Sequence, residues 1–332
     1  MRRGIPSRRF MAAPHPTEAR FPAVPLDAGH YESFYLKACH PVEPLGVWIR
    51  YTVHKRPGAA PNGSLWLTLF DGGAEGPRAH KETRPAPVGG GTDWIAVGDA
   101  AMRPGAAVGS VDGAQWDLRF SSSEQPLFHL PRAWLYRTRL PRTKLLSPVP
   151  AASFEGSLQV DGRFIAVEGW RGVIGHNWGS QHAERWIWLH GLTDEGDWLD
   201  AALGKVRLGP FTTPWVASGA LSLGGRRHAL GGPGRKVEVT ESTTGCDFLL
   251  PGRGLRVRGS VTAPRKDFVG WVYADPEGPE HHTINCSIAD MRLDVMLDNA
   301  PPRELAVKGG AAYELGMRER EHGMLIQPFA DG

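Results

Sequence analysis

Residues 46–55 read GVWIRYTVHK and residues 64–71 read SLWLTLFD. Both alternate with a period of two. In the first, Val47, Ile49, Tyr51 and Val53 share one face, and Trp48, Arg50, Thr52 and His54 share the other. In the second, Leu65, Leu67 and Leu69 oppose Trp66, Thr68 and Phe70. Successive side chains of a strand point to opposite faces, so both segments are β-strands. A sheet with one wet face needs no large aromatic rings opposite its aliphatic row. Either the second face lines a cavity or another domain covers it.

The same alternation recurs over residues 94–97, 107–111, 114–120, 154–160, 163–167, 185–192 and 198–205. It continues at 216–223, 226–230, 236–240, 254–263, 268–274, 283–297 and 303–315. Asp112-Gly113 and Asp161-Gly162 are hairpin turn pairs. Helical periodicity is scarce; residues 124–150 read as an irregular connection with one short helix near 132–139. Gly (42) and Pro (28) are spread along the chain, punctuating many short elements. The expectation is an all-β fold of two antiparallel β-barrel or sandwich domains, residues 26–185 and 186–332, after a flexible N-terminal arm, residues 1–25.

The 332 residues carry 38 basic and 35 acidic side chains, net +3, which gives no reason to expect nucleic acid. Arg2, Arg3, Arg8 and Arg9 read as part of the arm, or of an over-long start with the true one at Met11; an arm for nucleic acid or lipid headgroups is the alternative. Three scattered cysteines (Cys39, Cys246, Cys286) fit a reducing compartment, and no signal peptide or apolar span is legible, so a cytoplasmic location is expected. No nucleophile elbow, P-loop or dinucleotide fingerprint is present, and no cofactor is expected.

The densest cluster of unusual residues is GWRGVIGHNWGSQHAERWIWLH, residues 169–190. It combines Trp170, Trp178, Trp186 and Trp188 with His176, His182, His190, Asn177, Gln181 and Glu184. On a strand, Trp186, Trp188 and His190 share a face. Indole faces with a few directed polar groups suit a mostly apolar pocket, and histidine can move a proton near neutrality. The alternative is that the tryptophans are core and that His176 and Asn177 hold a turn. The histidines lack metal-ligand spacing, and His281 and His282 would face opposite ways on a strand, so no metal site is expected.

These segments resemble a lipocalin-like superfamily that includes AttH proteins and bacterial carotenoid hydratase, and more distantly tocopherol cyclase and fungal Diels–Alderases. The resemblance is carried by VDGRFIAVEGW (160–170), GHNWG (175–179) and WIWLHGLTDEGDWL (186–199). Weaker echoes are HYESFY (30–35), through Glu32 and Tyr35, and GGAAYELG (309–316), through Gly310, Tyr313 and Glu314. It implies two consecutive lipocalin-like domains and a hydrophobic-ligand pocket. Hydratase-type members carry an aspartate just before the motif histidine; here that position is Gly175.

The expected function is a cofactor-independent hydratase, cyclase or isomerase acting on an isoprenoid-like or polyketide-like molecule. The candidate catalytic groups are His176, Glu184 and Glu32. The candidate pocket residues are Asn177, Trp178, Trp186, Trp188, His190, Trp170, Tyr35 and Tyr313. A non-catalytic lipid or terpenoid carrier is the alternative, and a structural interaction module the third. The expected partner is a hydrophobic small molecule, with transient membrane contact left open as the route for acquiring it.

Overall fold

The computed structural model describes residues 15–330, so Arg2, Arg3, Arg8, Arg9 and Met11 lie outside it. The first sheet is formed by β1 (His30–Cys39), β2 (Leu45–Lys55), β3 (Asn62–Asp71), β4 (Arg78–Pro85), β5 (Val88–Gly90), β6 (Asp93–Val97), β7 (Ala100–Arg103), β8 (Ala106–Val111), β9 (Ala114–Ser121), β10 (Leu127–Phe128), β11 (Thr143–Val160) and β12 (Arg163–Gly179). Then come β13 (Arg185–Leu192), β14 (Trp198–Lys205), β15 (Arg207–Leu208), β16 (Phe211–Thr212), β17 (Val216–Leu223), β18 (Arg226–Gly231), β19 (Glu238–Ser242), β20 (Gly245–Pro251), β21 (Leu255–Thr262), β22 (Val269–Ala274), β23 (Glu280–Leu297) and β24 (Arg303–Met317). Among the described residues the only helical pieces are three short 3-10 turns, one of them Ala133–Arg137 in the irregular connection.

The first sheet runs β4-β3-β2-β1-β12-β11-β9-β8-β7-β6-β5 and the second β18-β17-β14-β13-β24-β23-β21-β20-β19, all antiparallel. Each curls into a half-barrel. In the second, a bridge from Leu230 to Gly252 draws the far edges together. Asp161 (φ 49°) and Gly162 (φ 81°) make the tight turn between β11 and β12 that the sequence pair announces.

The two faces of β2 answer the question posed by its alternation. Val47, Ile49, Tyr51 and Val53 fill the core of the first half-barrel, with Phe34, Leu65, Trp116 and Phe154. Trp48 and Trp66, on the opposite face, belong to the core of the second. Trp66 lies 4.9 Å from Trp271 and 5.8 Å from Tyr273 between ring centroids. A buried ring of this size removes roughly 200 Å² from water, about 5 kcal/mol as an upper estimate, so the faces of the two half-barrels are firmly joined. Domain packing and a cavity wall share that face, because Trp48 and Arg50 also border a cavity.

Two expectations need correction. The GHNWG segment holds no turn at His176 and Asn177: it continues β12 to Gly179. Residues 15–25 are not wholly a free arm. The backbone N–H groups of Arg20 and Phe21 donate to the Glu32 carboxylate at 2.7–2.9 Å, and Phe21 is buried. A buried carboxylate that takes backbone donors fixes the segment that supplies them.

Candidate functional site

A cavity of about 890 Å³ opens where the half-barrels meet. Register explains its walls. Gly175, Tyr35, Arg50 and Trp66 lie abreast across β12, β1, β2 and β3, on the face turned to the second domain. Ala202, Trp188, Glu314 and Asn285 lie abreast across β14, β13, β24 and β23. Tyr35, Arg50, Trp188, Ala202 and Glu314 border the cavity. Leu130, Trp134, Leu135 and Leu140 cover one side, and Leu208 and Val216 another. Trp134, Leu140, Leu208 and Val216 are also among the exposed large hydrophobic residues, so the rim is apolar.

Two glycines let rings lie against the strands. A Cβ on Gly175 would fall 2.0 Å from Tyr35 Cζ, and one on Gly316 would fall 2.1 Å from Trp186 Cε2. Glycine in a strand marks such close approach. An aspartate in place of Gly175 would therefore have no room here, because the Tyr35 ring occupies that space. Burial, with the Asp200 and Glu314 charges, raises the Tyr35 phenol well above its ordinary range, so it stays protonated. No hydrogen bond to its hydroxyl is formed among the described residues.

Of the residues expected at the pocket, Tyr35, Asn177, Glu184, Trp186 and Trp188 border the cavity. His176, Glu32, Trp178, His190, Trp170 and Tyr313 do not. Period-two alternation is the reason: Gly175 and Asn177 face the cavity side, and His176 and Trp178 face the other. His176 sits abreast of Phe34 and Tyr51 and stacks on Phe34 at 3.8 Å. Its Nδ1 is 2.8 Å from the Pro16 carbonyl and its Nε2 2.8 Å from Glu32 Oε1, so both nitrogens are engaged. Burial pushes the Glu32 carboxyl up, but hydrogen bonds and charge from His176 and His30 outweigh it and hold it at about 2. This pair anchors the segment around Arg20; the expected proton-transfer role has no access to the cavity.

The other non-lining residues have clear places. Trp178 packs with Tyr136 and Leu146 behind the covering segment. Trp170 is core of the first domain. Tyr313 is core of the second and donates to the Ser242 carbonyl at 2.7 Å. His190 shares the face of Trp188, stacks behind it at 6.2 Å and bonds the Pro150 carbonyl; burial, with the Lys37 charge, lowers it to about 4. Trp188 Nε1 donates to the buried Asp200 at 3.1 Å, which fixes the indole at the wall. Glu184 pairs with Arg318 at 3.0 Å.

The structure also assembles groups the sequence leaves apart. His182 borders the cavity, stacked on Tyr31 at 4.0 Å and on Trp186 at 5.3 Å. Its Nδ1 and its backbone N–H both lie 2.7 Å from Asp275 Oδ1. Burial raises the Asp275 carboxyl, and the bonds and charge of His182 bring it net below its ordinary value. In the neutral imidazole the carboxylate accepts from Nδ1–H and the lone pair lies on Nε2, which has no partner among the described residues. With His281, these side chains place ligand-type atoms within 4.8 Å of one another. Arg318 Nε lies 3.4 Å from His281 Nε2, so a fixed cation already sits beside the cluster and opposes a metal ion. The geometry is that of a carboxylate-oriented histidine. Asp275 lies 93 residues from His182, and no sequence motif links them.

No family profile matches the chain. Two Mycobacterium tuberculosis proteins, Rv0493c of strain H37Rv and MT0513 of strain CDC 1551 / Oshkosh, both uncharacterised, are 27% identical over 305 residues, covering 88% of this chain and 87% of theirs. Among solved structures, Nitrosomonas europaea NE1406, provisionally named AttH, superposes with TM-score 0.59 at 13% identity, covering 96% of this chain and 99% of that one. Kievitone hydratase from Nectria haematococca gives TM-score 0.59 at 12% identity, with 94% of each chain covered. The fold is thus the two-domain lipocalin-like fold of AttH and hydratase structures, as the resemblance of residues 160–199 implies.

Proposed function

We propose that this protein is an enzyme of hydratase, cyclase or isomerase type. Its substrate is a hydrophobic, isoprenoid-like or polyketide-like molecule bound in the cavity between the half-barrels. The observation that carries this reading is a large apolar cavity whose walls bring together an unbonded, protonated Tyr35 hydroxyl and the Asp275-oriented His182. Tyr35 donates a hydrogen bond to a substrate oxygen, and His182 Nε2 takes the proton of an adjacent carbon or of an attacking water. Removing a proton beside a carbonyl and returning it elsewhere needs no other group, and this half-reaction underlies reversible water addition and double-bond migration alike. Trp186, Trp188 and Trp48 hold the apolar body of the substrate. The exposed apolar rim of Trp134, Leu140 and Leu208 suits ligand transfer during transient contact with a membrane.

Kievitone hydratase shares the fold, which supports the reaction class. A carrier is the second reading, favoured by one observation: the cavity carboxylate Glu314 is already held by Trp186 Nε1, Tyr273 OH and Asn285 Nδ2 at 2.9–3.3 Å. The test is to incubate the purified protein with small molecules extracted from its host and follow consumed and formed masses. An enzyme converts a bound species, and Tyr35→Phe and His182→Gln stop conversion while still binding it. Binding without conversion by the wild type overturns the enzyme reading in favour of the carrier.

A further inference from the structure

Arg50 is a buried cation with no counterion among the described residues. It sits on β2 with only 5% of its surface exposed, and it borders the cavity. Its Nε donates to Ser33 Oγ at 2.6 Å. Its guanidinium carbon lies 4.1 Å from the Tyr273 ring centre, 5.4 Å from that of Trp66 and 6.0 Å from that of Trp48. Its Nη1 is buried, and among the described residues it has no hydrogen-bond partner and Arg50 forms no ion pair. The cavity carboxylate Glu314 is occupied by its three donors, and Glu184 by Arg318.

Taking an ion out of water costs several kcal/mol even after relaxation. Three aromatic faces return part of that, about 2 kcal/mol for a desolvated cation–π contact. A guanidinium offers five donors in a planar fork, and here one is used by Ser33. The three rings fix the plane of that fork, so it is preorganised at the cavity wall. Planar, bidentate recognition of an oxyanion is what such a fork does best.

We propose that the cavity's ligand is amphipathic, with an oxyanion head group (a carboxylate or a phosphate monoester) docked on Arg50 and an apolar body lying among Trp48, Trp186 and Trp188. This inference rests on the reading of the cavity as the ligand site. It narrows the substrate class from hydrophobic molecules at large to hydrophobic acids. The head group at Arg50 would orient the apolar body along the wall that carries Tyr35, the neighbour of Arg50 across the β1–β2 register.

The test uses the full chain at neutral pH and displacement of N-phenyl-1-naphthylamine, a neutral fluorescent probe, by dodecanoate, dodecyl phosphate and dodecanol. The expected result is that one or both anions bind roughly 10–100-fold more tightly than the alcohol, the range of a charge-assisted hydrogen bond. Arg50→Gln should remove that gap and leave dodecanol unchanged, and Arg50→Lys should keep part of it. Equal affinities in the wild type, or a gap that survives in Arg50→Gln, overturn the proposal and leave the cavity reading standing. If none of the three displaces the probe, the cavity reading itself falls, and the proposal with it. Should Arg50→Gln fail to fold, the wild-type comparison and Arg50→Lys still decide.

Discussion

Replacing Gly175 with alanine tests the placement of Tyr35. The new Cβ would meet Tyr35 Cζ at 2.0 Å, the hydroxyl oxygen at 2.3 Å and Cε1 at 2.4 Å. Ordinary carbon contacts lie near 3.5–4.0 Å, so the ring must shift by about 1.5 Å. It cannot do so freely, because it packs edge-on against Trp188 at 5.3 Å. Overpacking of this kind costs about 1–3 kcal/mol. Without the ring, glycine to alanine in a strand would stabilise by roughly 0.4–1 kcal/mol, because φ here is not positive. The net expectation is a loss of about 1–2 kcal/mol, a fall in Tm of roughly 1.5–3 °C for a chain of 332 residues. Gly175→Asp should lose more, since it adds a buried carboxylate. The assay is thermal unfolding of Gly175→Ala, Tyr35→Ala and the double variant. In the Tyr35→Ala background the alanine should become neutral or mildly stabilising. A Gly175→Ala protein that melts at or above wild type would refute the reasoning: Tyr35 would not overlie Gly175.

Glu32 is held at about 2 against an ordinary 4.5. A depressed folded-state pKa means that the carboxylate stabilises the fold fully above about 4.5, and that this is lost as pH falls toward 2. At 1.36 kcal/mol per unit the loss is at most about 3 kcal/mol, and urea unfolding of Glu32→Gln should lack that stretch of acid sensitivity. His176→Gln should lower Tm through the same anchor and leave probe affinity unchanged; lost turnover with unchanged Tm would return His176 to the chemistry. His182→Gln should cut turnover roughly 10²–10⁴-fold with binding retained, and Asp275→Asn should act in the same direction; unchanged turnover in both removes the proton-transfer role. Burial raises the thiols of Cys39, Cys246 and Cys286, so Ellman's reagent should find all three only after unfolding; rapid labelling of the native protein would contradict their burial.

The fold was legible because a two-sided strand such as Val47–Val53 writes its alternation openly, and because Asp161-Gly162 suits only a tight turn. The shared face of Trp186, Trp188 and His190 followed from the same period. What the pattern could not say was which face looks inward. Within residues 175–178 the histidine and tryptophan were the conspicuous side chains, yet the cavity receives Asn177, and Gly175 lies on the same face beneath the Tyr35 ring. A motif shows where a strand matters; register against β1 decides which side chains matter. Arg50 was visible only as an odd charge in an apolar alternation, and its unpaired state appears when Tyr273 and Trp66 close around it. The pairing of His182 with Asp275 is a tertiary contact with no local signal, and the anchoring of Arg20 and Phe21 by Glu32 is another.

The central claim is that the cavity between the half-barrels is where the ligand sits. A Cβ on Gly204, which borders the cavity, would meet nothing closer than 3.6 Å, so a large side chain can enter the cavity there without a backbone clash. Native mass spectrometry of the wild type and of Gly204→Trp, both purified from the protein's own host, tests the claim most directly. The wild type should carry a small hydrophobic acid that organic extraction releases, and Gly204→Trp, folded with the same Tm within a few degrees, should carry none. A ligand retained equally by Gly204→Trp would contradict the account.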